Sequence, residues 1–174
     1  IQNRTSVVGG FTAVPSKADL QKLRERLAGI KDFALETCRL AKTLTSDQVY
    51  ADLVRKCEHV ALRNESEYAV TNGRLVSTEG LDIAEWEYPQ WLIETHVPGC
   101  NAKHAVIKGR DDSFMVGPLA RVNLNFGQLS PDAQAIAREI GFQVPDFNPY
   151  MSIVARGVEL VHAIDESIKT IDRL

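Results

Sequence analysis

The chain has 174 residues, 44% of them hydrophobic, which suffices for the core of one domain. Its 20 lysine and arginine residues are balanced by 23 aspartate and glutamate residues, for a net charge of -3. This balance argues against a nucleic-acid partner, which usually needs a basic surface. An aromatic content of 7% likewise argues against a platform that stacks single-stranded bases.

The three cysteines, Cys38, Cys57 and Cys100, are odd in number and widely spaced, so they predict no disulfide framework. They fit a reducing compartment, and we expect a cytoplasmic protein. No apolar run approaches the roughly 20 residues needed to span a bilayer, and no signal peptide opens the chain. Because the first residue is Ile1 rather than methionine, we expect a piece of a longer protein.

The N-terminal part predicts a turn followed by a long helix. Gly9 and Gly10 lack the strand, loop and helix spacing of phosphate-binding fingerprints, so a tight turn is the simpler interpretation. Ser16 introduces a helix over residues 17–44. Cys38 lies on its apolar stripe and is expected in the core. The stripe recurs at steps of three and four residues through Leu20, Leu23, Leu27, Ile30, Ala34, Cys38 and Ala41.

A second helix is predicted after a loop at residues 45–48. His59 has no second histidine four residues away, so this helix shows no zinc-binding pattern. The inner side of the helix would carry Val49, Leu53, Val54, Cys57 and Ala61.

The middle third is predicted to be a small antiparallel sheet. Asn72 and Gly73 separate residues 68–71 from residues 74–77, which is the pattern of a hairpin with a type I′ turn. Residues 91–97 alternate as a strand.

A second predicted hairpin joins residues 103–107 to residues 113–116 through a polar turn. Asp111 and Asp112 in that turn resemble an acid pair. Adjacent carboxylates in such a turn are normally solvated turn formers, so we assign them no chemistry.

The run over residues 113–125 joins the hairpins to the C-terminal helices. Gly117 and Pro118 interrupt any regular ladder there, since proline lacks an N–H group. Arg121 follows as the one cation in an apolar run. A bare buried charge is costly, so Arg121 is expected to cap carbonyls or pair with a carboxylate. A sharper hypothesis makes it a brace, either behind the first layer of a functional site or between domains.

Two helices are predicted beyond this run. One covers residues 131–140, starting at Ser130 and stopping at Gly141, and the other runs from about Asn148 to the C-terminus. The fold class is therefore α+β and mainly helical, with a small antiparallel hairpin region inserted between long amphipathic helices. The single segment divides into a helical part (1–64), a β-hairpin-rich lobe (65–125) and a second helical part (126–174).

His96, Cys100 and His104 fall at four-residue steps, with Glu94 nearby. On a helix these side chains would share a face and could bind zinc. Pro98 lies between them and the flanking residues predict strands, so the shared face is lost. Zinc is the minor alternative at this cluster, and the residues alone indicate no self-contained active site.

Five segments carry a family resemblance. They are residues 8–11 followed by a long helix, then residues 73–80, 101–104, 113–125 and 156–162. The run over residues 113–125 is the most specific of them. Together, over nearly the whole chain, they resemble the large (alpha) subunit of nickel–iron hydrogenases. The resemblance is strongest to the cytosolic bidirectional type coupled to a soluble electron carrier.

The resemblance implies reversible oxidation of H2 at a nickel–iron centre, beside an iron–sulfur small subunit. In that family one Cys-x-x-Cys pair near each end of the large subunit holds the metals. This sequence contains no Cys-x-x-Cys, so we assign it no catalytic, cofactor or metal residue. The family's His-Pro before the Gly-Gly segment is also replaced here by Gln2 and Asn3.

The resemblance thus implies an internal scaffold segment, inactive alone and without a cofactor of its own. Its partners would be the missing N- and C-terminal parts of the same subunit. The alternative is a non-catalytic interaction or assembly module, such as a relative of the quinone-site subunit of respiratory complex I. Cys-x-x-Cys motifs in the flanking sequence would favour the hydrogenase.

Overall fold

The computed structural model describes residues 6–46 and 51–174 of the chain. The predicted positions Gln2, Asn3 and Val49 lie outside these ranges. The described strands are β1 (Ser6–Val7), β2 (Gly10–Phe11), β3 (Glu58–Arg63), β4 (Arg74–Ser77), β5 (Asp82–Ile83), β6 (Leu92–His96), β7 (Lys103–Ile107) and β8 (Phe114–Met115). The described α-helices are α1 (Lys17–Ser46), α2 (Tyr88–Trp91), α3 (Pro118–Asn125), α4 (Pro131–Glu139) and α5 (Ser152–Arg173).

The two longest helices, α1 and α5, pack antiparallel at the centre of the helical layer. Arg24 pairs with Asp172 (Nε to Oδ1, 2.5 Å) and Lys31 pairs with Asp165 (Nζ to Oδ1, 2.6 Å). Residue numbers therefore fall along α5 as they rise along α1. The two ion pairs are separated by seven residues on each helix, which is the repeat expected of two helices packed along their length.

Helices α3 and α4 complete the main hydrophobic core against α5. Leu119 and Val122 of α3, Ile136 of α4 and Val158 of α5 are almost completely buried. Cys38 belongs to this core, as its place on the α1 stripe predicted. The start of α4 is also as predicted, because the Ser130 hydroxyl accepts a hydrogen bond from the Ala133 N–H (3.3 Å).

A four-stranded sheet, with the order β5-β4-β3-β8, lies beside the helices. Its central strand, β3, is antiparallel to β4 and parallel to β8. Strands β6 and β7 form a separate antiparallel hairpin. Ile107 of β7 packs with Val60 of β3 and Ile83 of β5 in a second, smaller core. The α+β, mainly helical class is thus confirmed, and none of the described helices is long and apolar enough to cross a membrane.

The predicted second helix is wrong in the part that the structure describes. Residues 51–57 are not helical, and residues 58–63 form the strand β3. The four positions from Glu58 to Ala61 are all buried, because helix α3 packs against one face of β3 and the smaller core covers the other. A strand buried on both faces loses its alternation of apolar and polar residues, so its short apolar run cannot be told from a helix.

The predicted hairpin around Asn72 and Gly73 is also wrong. Residues 74–77 form the strand β4, but this strand pairs with β3 rather than with residues 68–71. Asn72 does not adopt the positive φ that a type I′ turn requires. Gly73 has a different reason to be glycine, because an added Cβ would lie 2.4 Å from the Arg63 carbonyl oxygen.

The third correction concerns the hairpin predicted between residues 103–107 and 113–116. Both strands exist, but β7 pairs with β6 and β8 pairs in parallel with β3. Asp111 and Asp112 stay exposed in the connecting loop. The turn at Gly9 is as predicted, since it joins the antiparallel strands β1 and β2 with a φ of +90°.

Candidate functional site

The run over residues 113–125 ends a strand, turns and then enters α3. Gly117 has a φ of +100°, which favours glycine, and Pro118 occupies the first position of the helix. Helix α3 packs against both β3 and α5. It therefore places Arg121 between the sheet and the helical layer.

Arg121, Glu159 and Tyr68 form a part-buried polar group, which we call the Arg121 cluster. Arg121 donates two hydrogen bonds to the Glu159 carboxylate, from Nε to Oε1 (2.6 Å) and from Nη2 to Oε2 (2.9 Å). The Tyr68 hydroxyl donates a third bond to Oε1 (2.7 Å). The prediction that Arg121 pairs with a carboxylate or caps carbonyls is therefore confirmed, and its partner is Glu159.

The Arg121 cluster ties together three parts of the chain: the loop between β3 and β4, helix α3 and helix α5. The hydrogen bonds to Glu159 raise the pKa of the Arg121 guanidinium, which stays charged. Burial raises the pKa of the Tyr68 hydroxyl, which therefore stays a hydrogen-bond donor. Such a two-pronged, charge-assisted pair fixes the position of α3 relative to α5.

His162 extends this network toward α4. Its ring lies 4.9 Å from the Tyr68 ring, centroid to centroid, and its Nδ1 accepts a hydrogen bond from the Ser130 N–H (3.0 Å). Burial lowers the pKa of His162, which favours the neutral ring. The ring is thus fixed at the residue that caps the N-terminus of α4.

A second polar group joins β3 to the segment containing α3. We call it the β3–α3 seam, and its members are His59, Asn123, Asn125 and Gln128. Asn125 Nδ2 donates to the Leu62 carbonyl (2.9 Å), and Gln128 Nε2 donates to the Asn64 carbonyl. These amide side chains occupy backbone acceptors at the sheet, so the sheet and the helix are held in one register.

His59 is the fully buried member of the seam. Its Nδ1 lies 2.8 Å from Asn123 Nδ2, and the same Asn123 amide donates to the Asp146 carbonyl (2.7 Å). Since the amide nitrogen is the donor, Nδ1 accepts and the neutral ring carries its proton on Nε2. Among the described residues, His59 Nε2 has no hydrogen-bond partner.

The seam makes stability dependent on pH. Burial lowers the pKa of His59, an effect that the charge of Asp146 partly opposes. Below the ordinary histidine pKa of about 6.5, the unfolded chain therefore binds more protons than the folded chain. The stabilising contribution of neutral His59 is complete above about pH 6.5 and decreases as the pH falls below that value. The limiting slope for one proton is about 1.4 kcal/mol per pH unit.

We expect the free energy of unfolding, measured with urea, to fall between pH 7.5 and pH 5. His59→Gln, which keeps an acceptor for Asn123, should show a smaller fall over the same range. The remainder is assigned to His162, whose pKa burial also lowers. An identical pH dependence for the parent chain and His59→Gln would contradict this account of His59.

The minor zinc alternative is not assembled in the described part of the chain. In the β6–β7 hairpin, His96 lies opposite Lys103 and His104 lies opposite Thr95. Successive residues of a strand point to opposite faces, so the two imidazoles point away from each other. No group of three or more histidine, cysteine, aspartate or glutamate side chains within residues 6–46 and 51–174 is arranged to hold a metal ion.

Cysteine thiolates are the residues that would hold the nickel–iron centre implied by the resemblance. Cys38 is buried between α1 and α5, and burial raises the pKa of its thiol to about 11, so it is not a thiolate near neutral pH. Cys57 lies just before β3, and Cys100 lies in the β6–β7 turn. These thiols do not gather with one another or with other ligands in the described residues, so they do not fit such a centre.

Sequence reasoning missed Glu159, Tyr68 and Asn123 as partners in the two polar groups. One signal was present for Glu159, because it lies between Val158 and Val161 on the apolar stripe of the last helix. A carboxylate beside a buried stripe is a natural partner for a lone arginine in another apolar run. Nothing local indicates Tyr68 or Asn123, because their partners are 91 and 64 residues away in the chain.

No protein-family model matches the chain. A search of curated proteins finds sulfhydrogenase 1 subunit alpha of Pyrococcus furiosus, 26% identical over 173 residues, which are 99% of this chain and 39% of the relative. Over nearly its whole length the chain is thus similar to part of a hydrogenase alpha subunit. The resemblance seen in the sequence is thereby confirmed.

The fold of the chain agrees with that similarity. It is similar to an NAD+-reducing [NiFe]-hydrogenase solved in the H2-reduced state, with a TM-score of 0.73 and 19% identity. The likeness covers 97% of this chain and 42% of the solved chain. The chain therefore spans about two fifths of the length of the relatives it matches.

Proposed function

We propose that this chain is an internal scaffold segment of a nickel–iron hydrogenase large subunit. The observation that carries the proposal is the contrast in coverage: the curated relative matches 99% of this chain, yet this chain matches only 39% of the relative. The absence of Cys-x-x-Cys from the sequence agrees with that role. The metal-holding residues would then lie in the parts of the subunit outside this segment.

The scaffold role is supported by the geometry of the two polar groups. The Arg121 cluster and the β3–α3 seam hold helices and sheet in a fixed arrangement through hydrogen bonds between different elements. In the whole protein, helices α1 and α5 would support the metal-bearing parts. The hairpins within residues 65–125 would form a peripheral lobe.

The whole protein would catalyse reversible H2 oxidation and proton reduction. Metal ions would supply that chemistry, and an iron–sulfur small subunit would pass electrons to a soluble carrier. A cytoplasmic location is proposed together with this bidirectional type.

The alternative is a non-catalytic assembly module or a relative of the quinone-site subunit, which the missing Cys-x-x-Cys motifs would favour. The flanking sequence distinguishes this alternative from the hydrogenase, since only the hydrogenase would carry Cys-x-x-Cys on both sides.

The direct test is elemental analysis of the purified 174-residue chain, read beside a dye-linked hydrogen-uptake assay. We expect neither nickel nor hydrogen uptake, because the described residues provide no thiolate set. A complete [NiFe]-hydrogenase assayed in parallel serves as the positive control. Stoichiometric nickel and iron with uptake would overturn the scaffold proposal. Stoichiometric zinc would contradict the finding that the described residues assemble no metal-binding group.

A further inference from the structure

Helix α1 carries a second apolar stripe that no described element covers. Its members are Leu23, Ile30, Phe33, Leu40 and Leu44, separated by steps of seven, three, seven and four residues. All five side chains are exposed, and Phe33 is the most exposed at 69%. This stripe is distinct from the buried one, which runs through Ala34, Cys38, Ala41 and Thr45. An amphipathic helix with one partner needs only one such stripe.

Helix α5 has a matching exposed row. Ile153 and Leu160 of α5, and Leu174 directly after its last residue, are exposed and recur at multiples of seven residues. Ala163 and Ser167, between them on the same row, are small and also exposed. Small residues flanked by large apolar ones leave room for another helix to approach closely.

The two rows lie on the same side of the α1–α5 pair. Leu23 of α1 lines one groove together with Ala163 and Ser167 of α5. Helix α4 occupies the other side of α1, where Lys31 pairs with Asp132 and Arg39 pairs with Glu139. The antiparallel packing places the start of one row beside the end of the other. We call this combined surface the open face.

The dimensions of the open face fit one long helix. The α1 stripe covers the 21 residue steps from Leu23 to Leu44, which correspond to about 32 Å of helix at 1.5 Å per residue. A helix of roughly 20 residues with a seven-residue apolar repeat would cover it. A row of large exposed apolar side chains of this length indicates a site of interaction.

We infer that the open face binds an amphipathic helix from the remainder of a hydrogenase large subunit. The inference rests on the proposed function and adds the surface and the form of the partner. The matched relatives are more than twice as long as this chain, so a complete subunit has ample further chain to supply such a helix. Burial of the α1 stripe then becomes part of the assembly of the subunit.

The test uses the part of Pyrococcus furiosus sulfhydrogenase 1 subunit alpha outside its matched residues, co-expressed with this chain. We expect a 1:1 complex by native mass spectrometry, with slower hydrogen exchange along α1. The double variant Phe33→Glu and Leu40→Glu should bind at least tenfold more weakly. Gln21→Glu with Ala28→Glu is the matched control, since it adds the same charge on the opposite side of α1, at two exposed positions.

The outcomes separate the inference from the function on which it rests. Both double variants should melt at the temperature of the parent chain, which excludes misfolding as the cause of lost binding. A complex that tolerates Phe33→Glu and Leu40→Glu would overturn the open face but keep the scaffold proposal. A homodimer dissociated by those substitutions would make a second copy the occupant and overturn the inference. Absence of any complex would contradict both.

Discussion

Replacing Arg121 with methionine should lower the free energy of unfolding by about 2–4 kcal/mol. Methionine keeps much of the apolar stem but leaves the Glu159 carboxylate, with its side chain only 16% exposed, without either bond from the guanidinium. Breaking a buried pair from one side costs about 3–5 kcal/mol, and the partial exposure of Arg121 reduces that figure. Denaturant unfolding followed by circular dichroism measures the loss.

A surface pair provides the control for Arg121. Arg39 pairs with Glu139 in the same two-pronged geometry (2.7 and 3.1 Å), but both side chains are about half exposed. Arg39→Met should therefore change stability little. If Arg39→Met and Arg121→Met lower the free energy of unfolding equally, burial does not account for the stability that the Arg121 cluster contributes.

A double-mutant cycle isolates the Arg121 pair itself. Glu159→Gln should cost less in the Arg121→Met background than in the parent chain, because the charge it removes is already unpaired there. Additive losses would show that Arg121 and Glu159 do not stabilise the fold through each other. The coupling also reports whether α3 and α5 are joined mainly through this pair.

Gly157→Leu should destabilise the chain by about 3 kcal/mol or more, because it overfills the contact between α1 and α5. A Cβ at position 157 would lie 3.1 Å from the Cys38 Sγ and 3.4 Å from its Cα, so even the first carbon needs a neighbour to shift. Helices α1 and α5 would have to move apart to accommodate the leucine, and packing along their contact would be lost. Thermal and urea unfolding would both register the change.

Gly29 on α1 is the matched control for Gly157. A Cβ there meets nothing within 4 Å, so Gly29→Leu should stabilise the helix by about 0.5–1 kcal/mol through helix propensity. Gly157→Ala should be less harmful in a Cys38→Ala background, where the sulfur at 3.1 Å is absent. Tolerance of leucine at both glycines would show that α1 and α5 do not approach as closely as the structure has them.

Local sequence signals predicted three of the helices, α1, α4 and α5, whereas α3 was not predicted and β3 was predicted as a helix. Helix α1 was predicted over residues 17–44 and is observed as Lys17–Ser46, and the start of α4 follows directly from Ser130 and Pro131. A helix closes its hydrogen bonds within four residues, so its stripe and caps are all local signals. The strand β7 was also predicted over its observed residues, because a polar turn directly follows it.

Only the tertiary structure decided how the strands pair and what Arg121 contacts. Strand β3 pairs with both β4 and β8. In the Arg121 cluster, Glu159 lies 38 residues along the chain from Arg121 and 91 residues from Tyr68. Strand pairing and buried ion pairs depend on which segments meet in space, and no local periodicity records that choice. The single arginine in an apolar run indicated that Arg121 needs a partner. The packing of α3 against α5 determines that this partner is Glu159.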